Sequence, residues 1–228
     1  MGKPPARGPL DGNAIRSQRT RGRILAESLR LFNEHGEAQV TTGAIAASLG
    51  ISPGNLYYHF RNKDAIIEEL FAAFEERIAL QPATAATGPE AIEDLWLYLH
   101  LMLEAVREYR FLYRGLDDLL ARNRRLRRHF ARIVERKSEA IEALCESLVR
   151  AGSMRARPGE LPALARNVLL VATFWPSFQA LRHPEAPRAE DTDAIVGQGA
   201  YQVMSLVAPY LVGDARRLLG RLGRSYVD

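Results

Sequence analysis

The sequence predicts an all-α protein: a small N-terminal unit of short helices followed by a larger helical domain. Three observations predict it. Apolar residues recur at helical spacing along almost the whole chain, no alternating strand-like run occurs, and Gly- or Pro-containing stops separate the periodic stretches. With 228 residues and 47% hydrophobic content, the chain is long enough to bury a sizeable core.

Residues 1–14 are rich in Gly and Pro without apolar period and read as a flexible basic arm. A first helix is expected from about Ile15 to His35, with Ile24, Leu25, Ser28, Leu31 and Phe32 on one face and Gly36 as its stop. A short second helix follows Thr41, whose hydroxyl can cap it; Ile45, Ala46 and Leu49 form its inner face and Gly50 ends it. Ser52 caps a third, with Pro53 at the first position, where a missing N–H costs nothing, and Leu56 and Phe60 inward. A fourth helix starts near Asn62 and carries Ile66, Ile67, Leu70, Phe71 and Phe74.

The stretch "QPATAATGPE", Gln81 to Glu90, breaks the pattern and separates a head, 15–75, from a second domain, 76–228. Ile92, Leu95, Trp96, Leu99, Met102, Leu103 and Val106 then form an amphipathic stripe. Another helix is expected near Phe111–Ala121, and a long one from Arg124 to Ala151. The last two long helices, "ELPALARNVLLVATFWPSFQALR" and "DAIVGQGAYQVMSLVAPYL", are apolar on more than one face. Such helices need cover on both sides, so they are expected to form a homodimer seam through Val196, Ala200, Val203 and Val207. Gly197, Gly199 and Ala200 would let the backbones approach.

Charge is uneven. Residues 1–64 carry nine Lys/Arg against five acids, whereas the rest of the chain is balanced. A localised basic excess fits a phosphate-backbone partner, and a solvated basic arm fits charge alone equally well. The absence of a secretory pattern and of a membrane-length apolar run leads to the expectation of a soluble cytoplasmic protein. A single cysteine, Cys145, rules out an internal disulfide. It lies on an apolar stripe with Ile141, Leu144 and Leu148 and is expected to be inert.

Two short helices joined by "GISP" form a helix-turn-helix, the arrangement whose second helix enters the DNA major groove. The longer run "VTTGAIAASLGISPGNLYYHFRNKDAIIEELF" resembles the TetR family of transcriptional repressors over roughly residues 20–75. The resemblance implies DNA contacts by position. Thr41 and Thr42 meet a phosphate at a helix N-terminus, although simple capping explains one of them. Ser52, Pro53, Gly54 and Asn55 lead the recognition helix, with Asn55 able to pair bidentately with adenine. Tyr57, Tyr58 and His59 offer ring and polar tips to backbone or thymine methyls, one tyrosine of the pair bracing helix one instead. Lys63 matches the family's phosphate contact. Arg16, Arg19, Arg21 and Arg23 can extend the grip from the arm into a minor groove. The chain departs from the pattern at Gly43, where some relatives carry a long side chain; direct readout is therefore sparse, and half-site spacing and groove shape are expected to carry much of the specificity.

The resemblance also implies a C-terminal effector-binding and dimerisation domain, with the fourth helix as lever. Trp96, His100, Tyr109, Phe111, Tyr113, Phe174, Trp175 and Phe178 are the pocket candidates, pointing to a lipophilic or aromatic effector, although aromatics at helical spacing are more often core. His100 is expected to pair with Glu104 rather than hold a metal, and Pro176 either kinks its helix or frees the Ala172 carbonyl. The arginines of "ARNRRLRRHFARIVERK" are expected to be a solvated face. No cofactor is expected and no catalytic signature is present, leaving a helical enzyme, or a relative that activates or binds protein through its head, as the other readings.

Overall fold

The computed structural model describes residues 12–79, 91–182 and 192–224. The expected arm up to residue 11 and the segment 81–90 lie outside the described residues. The described residues form eleven α-helices and two 3₁₀ turns, with one isolated antiparallel bridge, Met154 to Leu211, and no strand ladder. The all-α expectation is met.

The chain divides into two compact units, residues 1–70 and 71–228. The first contains α1 (Gly12–His35), α2 (Thr42–Ser48), α3 (Pro53–His59) and the beginning of α4 (Lys63–Ala79). α1 starts three residues before the expected Ile15, within the stretch read as arm. The unit boundary falls inside α4, at Leu70 and Phe71. Local signals account for the short helices. Thr41 Oγ1 accepts from Ala44 N at 3.1 Å to cap α2, and Ser52 Oγ accepts from Asn55 N at 3.2 Å to cap α3. Between them Gly50 sits at φ 65°, a left-handed conformation that glycine adopts without strain, and turns the chain. Ile24, Phe32, Ile45, Ala46, Leu56 and Phe60 are buried in this unit.

The second unit contains α5 (Ala91–Glu108), α6 (Arg110–Arg114), α7 (Leu116–Arg122), α8 (Arg124–Arg150), α9 (Glu160–Arg182), α10 (Thr192–Val207) and α11 (Gly213–Arg224). The helix expected near Phe111–Ala121 is two short ones divided at Gly115. α11, absent from the expected elements, buries Ala215 and Leu219 and exposes its arginines Arg216, Arg217 and Arg221. Asn123 caps α8, its Oδ1 accepting from the Arg125 and Leu126 amides at 3.0 and 3.1 Å. The core has two parts. One is aromatic, with Phe71, Phe74, Tyr109, Tyr113 and Phe130 at ring separations of 5.5 to 6.4 Å. The other is largely aliphatic, drawn from α5, α8, α9, α10 and α11 around Leu99, Ile141, Leu144, Val168 and Val203. The arginines Arg124, Arg125, Arg127, Arg128 and Arg132 of α8 are all exposed.

Ala200, Val203 and Val207 are buried in the chain's own core, and Val196 packs against it. Gly199 is likewise used within the chain: a Cβ there would stand 2.8 Å from Trp175 Cδ1 of α9. Periodicity shows that a stripe is covered; it does not show by what. The large apolar side chains that remain exposed lie elsewhere on these helices, at Leu170, Phe174, Phe178 and Leu181 of α9 and Tyr201 of α10.

Candidate nucleic-acid interface

α3 is only seven residues long, too short to persist in isolation. It is held because Leu56 and Phe60 are buried while Ser52, Pro53, Gly54, Asn55, Tyr57 and Tyr58 remain on the surface. Burying two such side chains contributes about 3–6 kcal/mol, enough to hold a helix that propensity alone would not. Tyr58 is 80% exposed, and its ring meets the half-buried His59 ring edge-on at 5.1 Å. Tyr57 is 51% exposed, and its hydroxyl lies 3.0 Å from Thr42 Oγ1. Tyr57 thus braces α2, where the sequence had pointed to helix one. Tyr58 turns towards α1: with Asn55 and His59 it faces Ala14, Arg16, Ser17 and Thr20 across a groove of about 660 Å³. Thr41 is exposed with its hydroxyl engaged as the α2 cap. Gly43 has open space in front of it beyond Thr41 Oγ1, so this surface presents no side chain there. Arg16, Arg19 and Arg23 are exposed along α1.

Two cations expected to face DNA also have partners inside the head. The Lys63 ammonium pairs with the buried Glu37 carboxylate at 2.8 Å and donates to the Glu37 and Val40 carbonyls at 2.9 and 3.1 Å. Two hydrogen bonds to carbonyls and one ion pair thus hold the ammonium against the head. Arg21 donates to both oxygens of Glu69 and, at 2.7 Å, to the His59 carbonyl that ends α3. Its guanidinium also lies 4.1 Å from the Phe60 ring centroid. Arg21 therefore ties α1, the last turn of α3 and α4 together, with partial cation–π support. A third tie runs between α1 and α2, where Glu27 accepts from Arg30 and from the Ser48 hydroxyl. The Arg30 bond, and then the Ser48 bond, hold the Glu27 carboxyl below its usual range. Glu37 and Glu69 carry no signal in the sequence pattern, because their partners Lys63 and Arg21 are 26 and 48 residues away.

Of the C-terminal pocket candidates, Tyr109, Phe111, Tyr113 and Trp175 are buried, whereas Phe174 and Phe178 are exposed. Trp96 is half-buried and stacked on His100 with centroids 5.3 Å apart, and His100 Nε2 lies 3.9 Å from Glu104. α9 continues through Pro176, and Ser177 Oγ donates to the Tyr113 carbonyl at 3.1 Å. The Cys145 thiol is fully buried and pushed up to about 12 by desolvation, then by Glu142. Among the described residues no His/Cys/Asp/Glu cluster suits a metal ion, and no helix is long and apolar enough to cross a membrane.

Two family profiles meet at the boundary between the units. "Bacterial regulatory proteins, tetR family" matches residues 24–70, and "Bacterial transcriptional repressor", the TetR C-terminal profile, matches residues 71–219. The chain belongs to the TetR family. This TetR-family chain is 37% identical to a TetR-family transcriptional regulator of known structure from Marinobacter aquaeolei VT8, with a TM-score of 0.80 over 91% of this chain and 98% of that one. It is 38% identical over 68 residues to the HTH-type transcriptional regulator UidR of Escherichia coli K12; the match covers 30% of this chain and 35% of that protein. The SmeT–triclosan complex shares the fold, with a TM-score of 0.57 at 21% identity over 87% of this chain and 94% of that one. Members of the family are transcriptional regulators rather than enzymes.

Proposed function

We propose that this chain is a ligand-responsive, cytoplasmic transcriptional repressor that binds a palindromic DNA operator as a homodimer and is released by a small lipophilic or aromatic effector. The observation that carries the reading is the exposed face of α3, Ser52 to Tyr58, pinned from beneath by Leu56 and Phe60 and flanked by the cationic side of α1. A recognition helix needs this combination: a rigid seat, an exposed N-terminal half, and cations beside it for phosphates. In this reading Asn55 reads a base. Ser52, Pro53, Gly54, Thr41, Thr42, Tyr58 and His59 meet backbone or base edges, and Arg16 and Arg19 reach phosphates or a minor groove. Lys63 and Arg21 hold the head in shape. With Gly43 and Gly54 unable to read bases by side chain, groove shape and half-site spacing carry much of the specificity.

Leu170, Phe174, Phe178, Leu181 and Tyr201 supply a more suitable partner face than the buried α10 stripe, because large exposed apolar side chains concentrated on two neighbouring helices mark interaction surfaces. The SmeT–triclosan complex supports a small aromatic effector, with α4 as the lever. Selecting bound fragments from a random DNA pool, then measuring affinity against salt, tests the reading. A palindrome should emerge, with affinity falling about 10³-fold or more between 50 and 200 mM salt for six or more phosphate contacts. Salt-independent binding, or no enriched palindrome, would sink it.

A further inference from the structure

The inward stripe of α8 runs Leu126, Phe130, Ile133, Lys137, Ile141, Leu144, Leu148, and one member of it is a lysine. Lys137 is 4% exposed, and burial alone shifts its amine, with no hydrogen bond or neighbouring charge contributing. It stands between Phe130, in the aromatic part of the core, and Ile141, in the aliphatic part. The elements packed on α8 are α4, α5, α6, α7 and α9; from α4, Glu75 is paired with His129 of α8 and Phe71 meets Phe130, and from α6 the buried Tyr113 ring meets Phe130. The buried residues of α5 are apolar apart from the Tyr98 hydroxyl, and its half-buried His100 and Glu104 are paired with each other. α7 buries Leu116 and Leu119 and exposes Asp117 and Asp118. α9 buries no ionisable group among its described residues, only the polar Thr173 and Gln179. On α8 itself, Glu139 is exposed and Glu142 half-buried.

An ammonium enclosed in apolar surroundings without a counter-charge is held at a cost, and an apolar side chain of similar length would fill the same space without it. A lone amine of this kind inside a ligand-binding domain points to a partner that comes and goes. We propose that Lys137 is the anchor of an acidic effector: an aromatic or lipophilic carboxylate whose head group pairs with the Lys137 ammonium while its body lies among the apolar side chains around it. This rests on the reading that the C-terminal domain binds a small effector, and adds the chemical class. Desolvation brings the Lys137 amine down to about 7, so near neutral pH an entering anion draws a proton onto it.

The test is a thermal-shift and operator-release panel on the full-length protein with 2-naphthoate and 4-phenylbutyrate beside their isosteric primary amides. At least one acid should raise the melting temperature of the wild type and release the operator, while its amide does neither. Both effects should vanish in Lys137→Met and Lys137→Gln, and the free Lys137→Met protein should melt no lower than wild type. The affinity of the acid for wild type should fall about tenfold per pH unit above pH 7, through linkage to one proton. An acid response that survives in both variants, an amide as effective as its acid, or a Lys137→Met protein that melts well below wild type overturns the assignment. Amides that release the operator where acids do not would leave the effector reading standing and remove the lysine from it. Silence from all four compounds would count against both.

Discussion

Gly199 and Gly220 both lie inside helices, and replacing each with alanine should change stability in opposite directions. Helix propensity favours alanine over glycine by about 0.8–1 kcal/mol at either position. At Gly220 in α11 nothing stands within 4 Å of the new methyl, so the gain should appear in full. At Gly199 the Cβ would lie 2.8 Å from Trp175 Cδ1 and 3.3 Å from Trp175 Cγ. Cγ is the root of the indole, so the ring cannot escape by swinging its far edge; α9 and α10 must move apart or the tryptophan must leave its rotamer. Overpacking of this kind costs about 1–3 kcal/mol, which outweighs the propensity gain. Gly199→Ala should therefore lose about 1 kcal/mol where Gly220→Ala gains about 1. At about 2–4 °C per kcal/mol for a chain of this size, the two variants should melt about 4–8 °C apart by calorimetry. Trp175→Leu should convert Gly199→Ala from destabilising to stabilising, a coupling of about 2 kcal/mol in a double-mutant cycle. If Gly199→Ala stabilises as much as Gly220→Ala, the close α9–α10 approach does not exist as described.

Three further outcomes follow from the head and the core. Lys63→Met should destabilise the protein by about 2–3 kcal/mol, somewhat below the cost of breaking a fully buried pair, because it removes the ammonium paired with the buried Glu37 carboxylate. It should leave the salt slope of DNA binding unchanged, whereas Arg16→Ala should lower that slope by about 1 with little effect on melting. Asn55→Ala should cost about 1–3 kcal/mol of discrimination at one base pair in an operator scan, with the melting temperature unaltered, since its side chain is exposed. Cys145 should react with a thiol reagent only under unfolding conditions. The folded thiol keeps its proton up to about 12 while the unfolded one releases it near 9. The unfolded state therefore binds fewer protons in that window, and Cys145 lowers stability as pH rises from about 9 to 12; Cys145→Ala should flatten the decline.

The head was legible in outline because its signals are local. Thr41 and Ser52 bond amides three residues on, Gly50 turns the chain at its own position, and Leu56 and Phe60 face inward by the helical period. The partners of Lys63 and Arg21 inside the head were not legible, for the opposite reason. A cation beside a recognition helix looks the same in sequence whether it faces phosphate or an interior carboxylate, and the Glu69 that binds Arg21 is 48 residues away. What covers the α10 stripe was not legible either, since periodicity marks a face without naming its cover. The break at Gly115 and the helix α11 were also missed, although the Ala215–Leu219 spacing offered a weak cue for α11.

By itself, the sequence determined the helical class, the helix-turn-helix with its caps and turn, the family, and the inert cysteine, all of which depend on neighbours within a few residues or on a pattern repeated along one helix. Tertiary structure decided which cations gain partners inside the head, which large apolar side chains of α9 and α10 stay exposed, and that Lys137 is buried on the inward stripe of α8. Those outcomes depend on side chains brought together from distant parts of the chain, where burial and pairing, rather than residue type, set what a charge or an apolar face can do.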